Sequence, residues 1–278
     1  METATGTSRT PESAGATLRC DLNCDLGEFS GGRPTGDDAA MFQLITSANI
    51  ACGFHAGVPL TMRESCLRAL DSGVAIGAHV SYRDLAGFGR RAMDIAAEDL
   101  YRDVLSQLSA LAGIAASVGG RLSYVKPHGA LYNRIVTDPA QADAVARAVR
   151  DFDATLPQLG LSGTQAALAA DRYGIRFIRE AFVDRAYAPD GSLVPRGLPG
   201  AVLSASAADG ASEIAARAVA MVADGEVDAI DGTRVRVRVD SLCVHGDTAD
   251  AVGMARAVRA ALRVAGVVVA PFTSATLA

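Results

Sequence analysis

The residues best suited to chemistry are few. The chain holds four histidines, His55, His79, His128 and His245, and among its 26 Lys and Arg residues a single lysine, Lys126. Lys126 stands two residues before His128 in the stretch YVKPHGALYN, residues 124–133. A compact ammonium can hold a carboxylate or phosphoryl oxygen, and its pKa can fall on burial or beside another cation, which a guanidinium cannot match. Imidazole titrates near neutrality and ligates metals through either ring nitrogen.

These groups fall on a common pattern. Short β-like runs occur at 19–25, 47–55, 73–79, 122–128, 156–163, 175–184 and 240–247. Side chains alternate faces along a strand. One face then carries Asp21, Asn23 and Asp25 in the first run, Asn49, Ala51, Gly53 and His55 in the second, and Ala75, Gly77 and His79 in the third. The corresponding sets later are Tyr124, Lys126 and His128, and finally Ser241, Cys243, His245 and Asp247. Every histidine therefore sits at the C-terminal end of an expected strand. A lone buried histidine is ordinarily a hydrogen-bonded core residue, but four at equivalent ends argue for a shared site. Active sites of parallel barrels and open parallel sheets are built on that rim. Asp25, His55 and His79, on adjacent strand ends, would suit a divalent metal with a position open for water.

The elements that position these groups alternate. Helical patterns lie at 60–70, 96–117, 139–150, 165–173, 207–223 and 248–264, and the run GVVVAPF at 266–272 offers a further strand. Asp138-Pro139 reads as N-cap and first helical residue, and Ser162 or Thr164 as a second cap. Strict β-then-α order implies parallel strands with right-handed crossovers, in a closed barrel or a long open sheet. With no linker in the middle, one domain is expected over 18–278, preceded by a disordered Thr/Ser/Ala/Gly-rich tail over 1–17. Residues 186–199 read as a long loop, and RVRVRV at 234–239 as a strand with one apolar and one basic face, either in a solvated outer hairpin or at an anion-binding edge.

Composition narrows the partners. Half of the 278 residues are hydrophobic and the formal net charge is -5, so no nucleic acid or anionic membrane partner is expected. The apolar runs are too short to span a bilayer. Five cysteines, Cys20, Cys24, Cys52, Cys66 and Cys243, lack CxxC spacing and fit reduced thiols in the cytoplasm. No GxxxxGK[ST] or strand-to-helix GxGxxG is present, which leaves no standard nucleotide cradle.

Eight segments together carry a resemblance: DLNCDLGE (21–28), GDDAAMFQLITSANIACGFHAG (36–57), GVAIGAH (73–79), DLAGFGRR (84–91), VKPHGALYN (125–133), FVDRAY (182–187), LVPRGLPGA (193–201) and CVHGDT (243–248). In order and spacing the set resembles the 5-oxoprolinase A-subunit family, also called the LamB/YcsF family of lactam-utilisation proteins. The resemblance implies an α/β fold, a TIM-like parallel (β/α) barrel of the glycoside hydrolase/deacetylase kind with seven strands. It also implies ATP-dependent hydrolysis of 5-oxo-L-proline to L-glutamate with 5-oxoprolinase subunits B and C, so that ATP enters through the complex. On this reading Asp25, His55, His79, Lys126, His128 and Asp247 are the catalytic candidates, with a divalent metal on Asp25, His55 and His79. Asn23, Asn49, Asp184, Arg185 and His245 are the substrate-binding candidates. Lys126 and Arg185 would hold the substrate carboxylate or a phosphoryl group, and Asp184 would orient Arg185 or His128. A stand-alone metal-dependent amidase or deacetylase, and a non-catalytic lactam-binding protein within the complex, remain as alternatives, and self-association is left open.

Overall fold

Period-two alternation along seven short parallel strands produces a barrel with two unlike surfaces. The computed structural model describes residues 17–205 and 210–273. The strands are β1 (Arg19–Leu26), β2 (Ser47–Ala51), β3 (Ala75–Val80), β4 (Tyr124–Pro127), β5 (Gln158–Gly160), β6 (Phe177–Phe182) and β7 (Ser241–Cys243). Each pairs in parallel with the next, and β7 pairs back onto β1 through Asp21↔Ser241 to Asn23↔Cys243, which closes the ring. The TIM-like seven-stranded barrel is thus the architecture. Val268–Val269 supplies the further strand, only two residues long, alongside Arg19 and Cys20.

The outward residues Cys20, Leu22, Cys24 and Leu26 of β1, with Val125 and Ala181, join one large core beneath the helices. Those helices include Pro59–Asp71, Ala97–Ser117, Pro139–Asp153, Gln165–Arg172, Gly210–Ala223 and Ala251–Val264. Two begin as capping chemistry dictates: Asp138 accepts from the amides of Ala140 and Gln141, and Thr164 from that of Ala167. Between β1 and β2 the chain makes a short antiparallel hairpin, Phe29–Ser30 against Arg33–Pro34, and a one-turn helix, Asp38–Met41.

The lumen is too narrow for a channel and is filled in layers. At the N-terminal end Ala75, Tyr124, Leu159 and Ile178 pack together, with Phe272 stacked edge-on to Tyr124 at 5.1 Å. Above them lies a polar layer. Asp21 accepts from Thr46 and Ser47 hydroxyls at 2.6 Å each and from Ser241, and burial still pushes its pKa up to about 6.

Several boundaries differ from the sequence expectation. The runs at 156–163 and 240–247 shorten to three paired residues, because Leu161 and Val244 already enter the loops that carry the rim. The 234–239 alternation is a small antiparallel hairpin, Arg234–Arg236 against Glu226–Asp228, with Arg234, Arg236 and Arg238 exposed and the intervening valines packed on the core. Apart from Thr17, the expected tail lies outside the described residues, as do positions 207–209 of the expected 207–223 helix. All five cysteines are free and buried, and no helix among the described residues is long and apolar enough to cross a membrane.

Gly77 shows how tightly the lumen is specified. A Cβ built there would fall within the phenol ring of Tyr124, which is fully enclosed. Gly77→Ala should therefore lower unfolding free energy by about 1–3 kcal/mol or more through overpacking. Denaturant unfolding checks this, and a variant as stable as the parent would mean that the ring does not occupy the lumen.

Candidate active site

Lys126 occupies the centre of the barrel. Its Nζ lies 2.8 Å from Glu180 Oε1, 3.1 Å from Asp25 Oδ1, 3.1 Å from Asn23 Oδ1 and 3.3 Å from Cys243 Sγ. Asn49 donates at 2.8 Å to both Asn23 Oδ1 and Asp25 Oδ1, and itself accepts from Tyr124 Oη at 2.6 Å. Burial alone would lower the ammonium's pKa, but the Asp25, Cys243 and Glu180 groups outweigh it and hold it well above the ordinary value. The expectation of a lowered lysine pKa is thus corrected: two carboxylates, not another cation, are its neighbours. Asn23 and Asn49, read as substrate ligands, belong to this buried network and are fully enclosed.

Beyond Asp25, three imidazoles and Glu28 meet. Glu28 Oε1 lies 2.8 Å from His55 Nε2, 3.6 Å from His128 Nδ1 and 3.9 Å from His79 Nε2. The rings of His55 and His128 stack at 3.8 Å. His79 Nδ1 faces the carbonyl oxygen of Lys126 at 3.1 Å, and His128 Nε2 faces that of Phe88 at 2.9 Å. A carbonyl only accepts, so those two nitrogens carry the protons. Lone pairs remain on His79 Nε2 and His128 Nδ1, which are 3.0 Å apart. Lone pairs at that separation repel unless a proton or a metal ion lies between them. Backbone carbonyls that fix imidazole tautomers are the usual outer support of a metal ligand set.

A metal fits this donor set. One ligand atom from each of Glu28, His55, His79 and His128 lies within 4.8 Å of the others, all four residues being buried. His55 is the least prepared of them, since its Nε2 already meets Glu28 and its buried Nδ1 has no partner. Asp25, expected with His55 and His79, is instead engaged through Oδ1 by Lys126 and Asn49, with His79 Nε2 at 3.3 Å. Glu28 takes the place that the sequence reading gave to Asp25. Burial would raise the pKa of Asp25, yet the nearby His79 and Lys126 bring it well below the carboxylate range. Glu28 is pushed up by burial, and burial followed by neighbouring imidazoles pushes His55 and His128 well below the ordinary histidine value.

The loop after β3 locks this cluster. Phe88 adopts a positive φ of 55°, which turns its carbonyl towards His128, and Gly89 follows at 64°. A Cβ on Gly89 would come 2.7 Å from His128 Cδ2 and 2.8 Å from His55 Cβ. Only glycine fits there.

A second acid-base pair lies just past the C-terminal ends of β6 and β7. Register Cys243↔Phe182 brings the following residues together, so that His245 Nδ1 lies 2.9 Å from Asp184 Oδ1 and the His245 amide donates to Asp184 Oδ2 at 3.1 Å. Asp184 therefore orients His245, not Arg185 or His128. Alternation sends the neighbouring Arg185 the other way, onto the carbonyls of Val194 and Ala201 at 2.7 and 3.2 Å. Burial opposes the charge on His245, but Asp184 outweighs it and raises the imidazole pKa, while that of Asp184 falls for the reciprocal reason. Asp247, expected among the acid-base groups, bridges Arg90 at 2.6 Å and Arg196 at 2.9 Å across the mouth.

One cavity of about 600 Å³ joins these parts, lined by Asp25, Glu28, His79, Lys126, His128 and His245 among others. Glu28 and Glu180 escaped the sequence reading. Glu180 shared its strand face with Ile178 and Phe182, a signal already present in the alternation; Glu28 lies past the strand end, where alternation gives no direction.

Comparison with known proteins agrees with this architecture. Residues 20–277 match the family model described as the LamB/YcsF family. A Mycobacterium avium protein named as a 5-oxoprolinase A-subunit is 55% identical over 252 residues, covering 91% of this chain and 98% of its own length. A Paracidovorax citrulli protein of the same name is 52% identical, with 92% and 100% covered. The crystal structure of a lactam utilization protein from Thermus thermophilus superposes with a TM-score of 0.85 at 45% identity, covering 92% of this chain and all of that one. The chain belongs to the LamB/YcsF family.

Proposed function

We propose that this protein is the A-subunit of an ATP-dependent 5-oxoprolinase, which acts in the cytoplasm with subunits B and C to convert 5-oxo-L-proline to L-glutamate. What supports the reading, beside the relatives that carry the A-subunit name, is the single cavity that holds two separate acid-base devices. Lactam hydrolysis needs both. The ring C–N bond breaks, water supplies oxygen to the carbonyl carbon, and the nitrogen leaves as an amine that takes up a proton. Glu28 and His128 stand on the wall where water would be deprotonated, and His245, charged through Asp184, faces the cavity as the proton donor to nitrogen. Lys126 and Asp25 fix the position of His79 and the electrostatics between the two walls. Were a divalent ion held by Glu28, His79 and His128, with His55, their lone pairs would be taken up as ligands and the ion would supply Lewis-acid activation of water or of the lactam carbonyl in place of their role as bases. A five-membered lactam recloses readily because its nucleophile is tethered, so net opening calls for coupling to ATP through the complex.

A stand-alone metal-dependent amidase is the second reading, favoured by the facing lone pairs of His79 and His128. Reconstitution with subunits B and C, with ATP supplied or withheld, separates the two. Glutamate should form only with ATP, and Glu28→Gln or His128→Ala should cut turnover by about 100-fold or more. Cleavage by the isolated chain with metal and no ATP would favour the amidase. Full activity of both variants would leave a lactam-binding role alone.

The dyad carries its own pH signature. If His245 acts as the protonated donor, turnover falls as pH rises through its raised pKa, and Asp184→Asn removes the group that raises it. The alkaline limb of the kcat profile should therefore move to lower pH in that variant, and an unmoved limb would remove His245 from the proton-transfer step.

A further inference from the structure

The upper wall of the cavity carries more positive charge than the protein neutralises. Arg90, Arg185 and Arg196 all line it. Of the nearby carboxylates, Asp184 is spent on His245 and on the Thr248 hydroxyl at 3.2 Å. Asp247 is shared, with Oδ2 on Arg90 and Oδ1 on Arg196. Arg185 is 7% exposed and has no carboxylate at ion-pair distance among the described residues. Its Nε and Nη2 go to the carbonyls of Ala201 and Val194, which leaves Nη1 without a protein acceptor among those residues. Burial, and after it the nearby Arg196 guanidinium, lowers the pKa of Arg185. A buried guanidinium without a carboxylate, beside a second guanidinium whose side chain is 31% exposed and shares Asp247 with Arg90, is costly to keep unless a ligand anion completes the site. Lys126 does not serve as that cation for a ligand, because Asp25 and Glu180 already neutralise it.

We propose that Arg185 and Arg196 form the subsite for the substrate's carboxylate, and that Arg196 is the residue that selects carboxylated lactams over neutral ones. This rests on the lactam reading above. Arg185 is fixed by the two carbonyls and offers one nitrogen from below. Arg196 reaches in from the loop that those same carbonyls belong to, and Asp247 restrains it on its far side. A planar guanidinium pair is suited to the two oxygens of a carboxylate. Anchored there, a five-membered ring shares the cavity with His128 and His245, so the same contact that selects the substrate also orients its amide.

Calorimetry with 5-oxo-L-proline and with 2-pyrrolidinone, the same ring without the carboxylate, tests this on the purified chain. The parent protein should prefer 5-oxoproline by about 10- to 100-fold. Arg196→Gln should abolish most of that preference and leave 2-pyrrolidinone binding unchanged, while Arg196→Lys retains part of it. A uniform loss for both ligands, or no loss for either, would overturn the assignment. Equal binding of the two lactams by the parent would overturn it and leave the lactam reading standing; binding of neither would remove both.

Discussion

The structure turns on one buried ammonium. Lys126 Nζ is held between Glu180 and Asp25 at 2.8 and 3.1 Å and donates also to Asn23 Oδ1 at 3.1 Å, on a side chain only 3% exposed. Carrying charge into a barrel interior costs several kcal/mol per ion unless the partners and remaining hydrogen bonds are all supplied. Here Asn23 and Asp25 on β1 accept from Lys126 on β4, while Glu180 on β6 faces the ammonium as an ion-pair partner whose buried oxygens have no hydrogen-bond partner among the described residues. A guanidinium would not fill the same place. It is planar, with five donors to satisfy, whereas the three N–H groups of an ammonium can be turned towards separate acceptors. This accounts for lysine and not arginine at position 126.

From that pair the rest of the site is ordered outward. Asp25, kept ionised, faces His79, and the carbonyl of Lys126 itself fixes the His79 tautomer. The loop after β3 then fixes His128 through Phe88, at the expense of a left-handed backbone that only the tight packing of Gly89 on His55 and His128 sustains. The β6–β7 register sets His245 against Asp184 on another wall. Ionisable groups drawn from the ends of six strands can meet because the barrel brings those ends to one mouth.

β-then-α order left a closed barrel and an open sheet both possible, and the family resemblance pointed to the barrel. The gathering of His79, His128 and His245 on one cavity was legible in the alternation of side chains, because strand ends are where that periodicity points. Partnerships between strands were not. That Asp184 serves His245 depends on the pairing of Cys243 with Phe182, which no local pattern encodes. Glu28 lies in a turn beyond β1, where direction is set by the Gly27 backbone at a φ of 73° and not by strand geometry. The sign of the Lys126 shift was hidden for a related reason: its nearest acid, Glu180, shares a strand face with the apolar Ile178 and Phe182, and no local pattern says that this face meets β4 across the lumen.

Because Lys126 is the only lysine, isotopic labelling of lysine gives one side-chain resonance that reports its charge directly. A pH titration of that Nζ signal in the folded protein should show an ammonium with no midpoint up to the ordinary lysine value of 10.5. A midpoint below that value would contradict the account, since it would mean that Asp25 and Glu180 do not hold the cation on which the site is built.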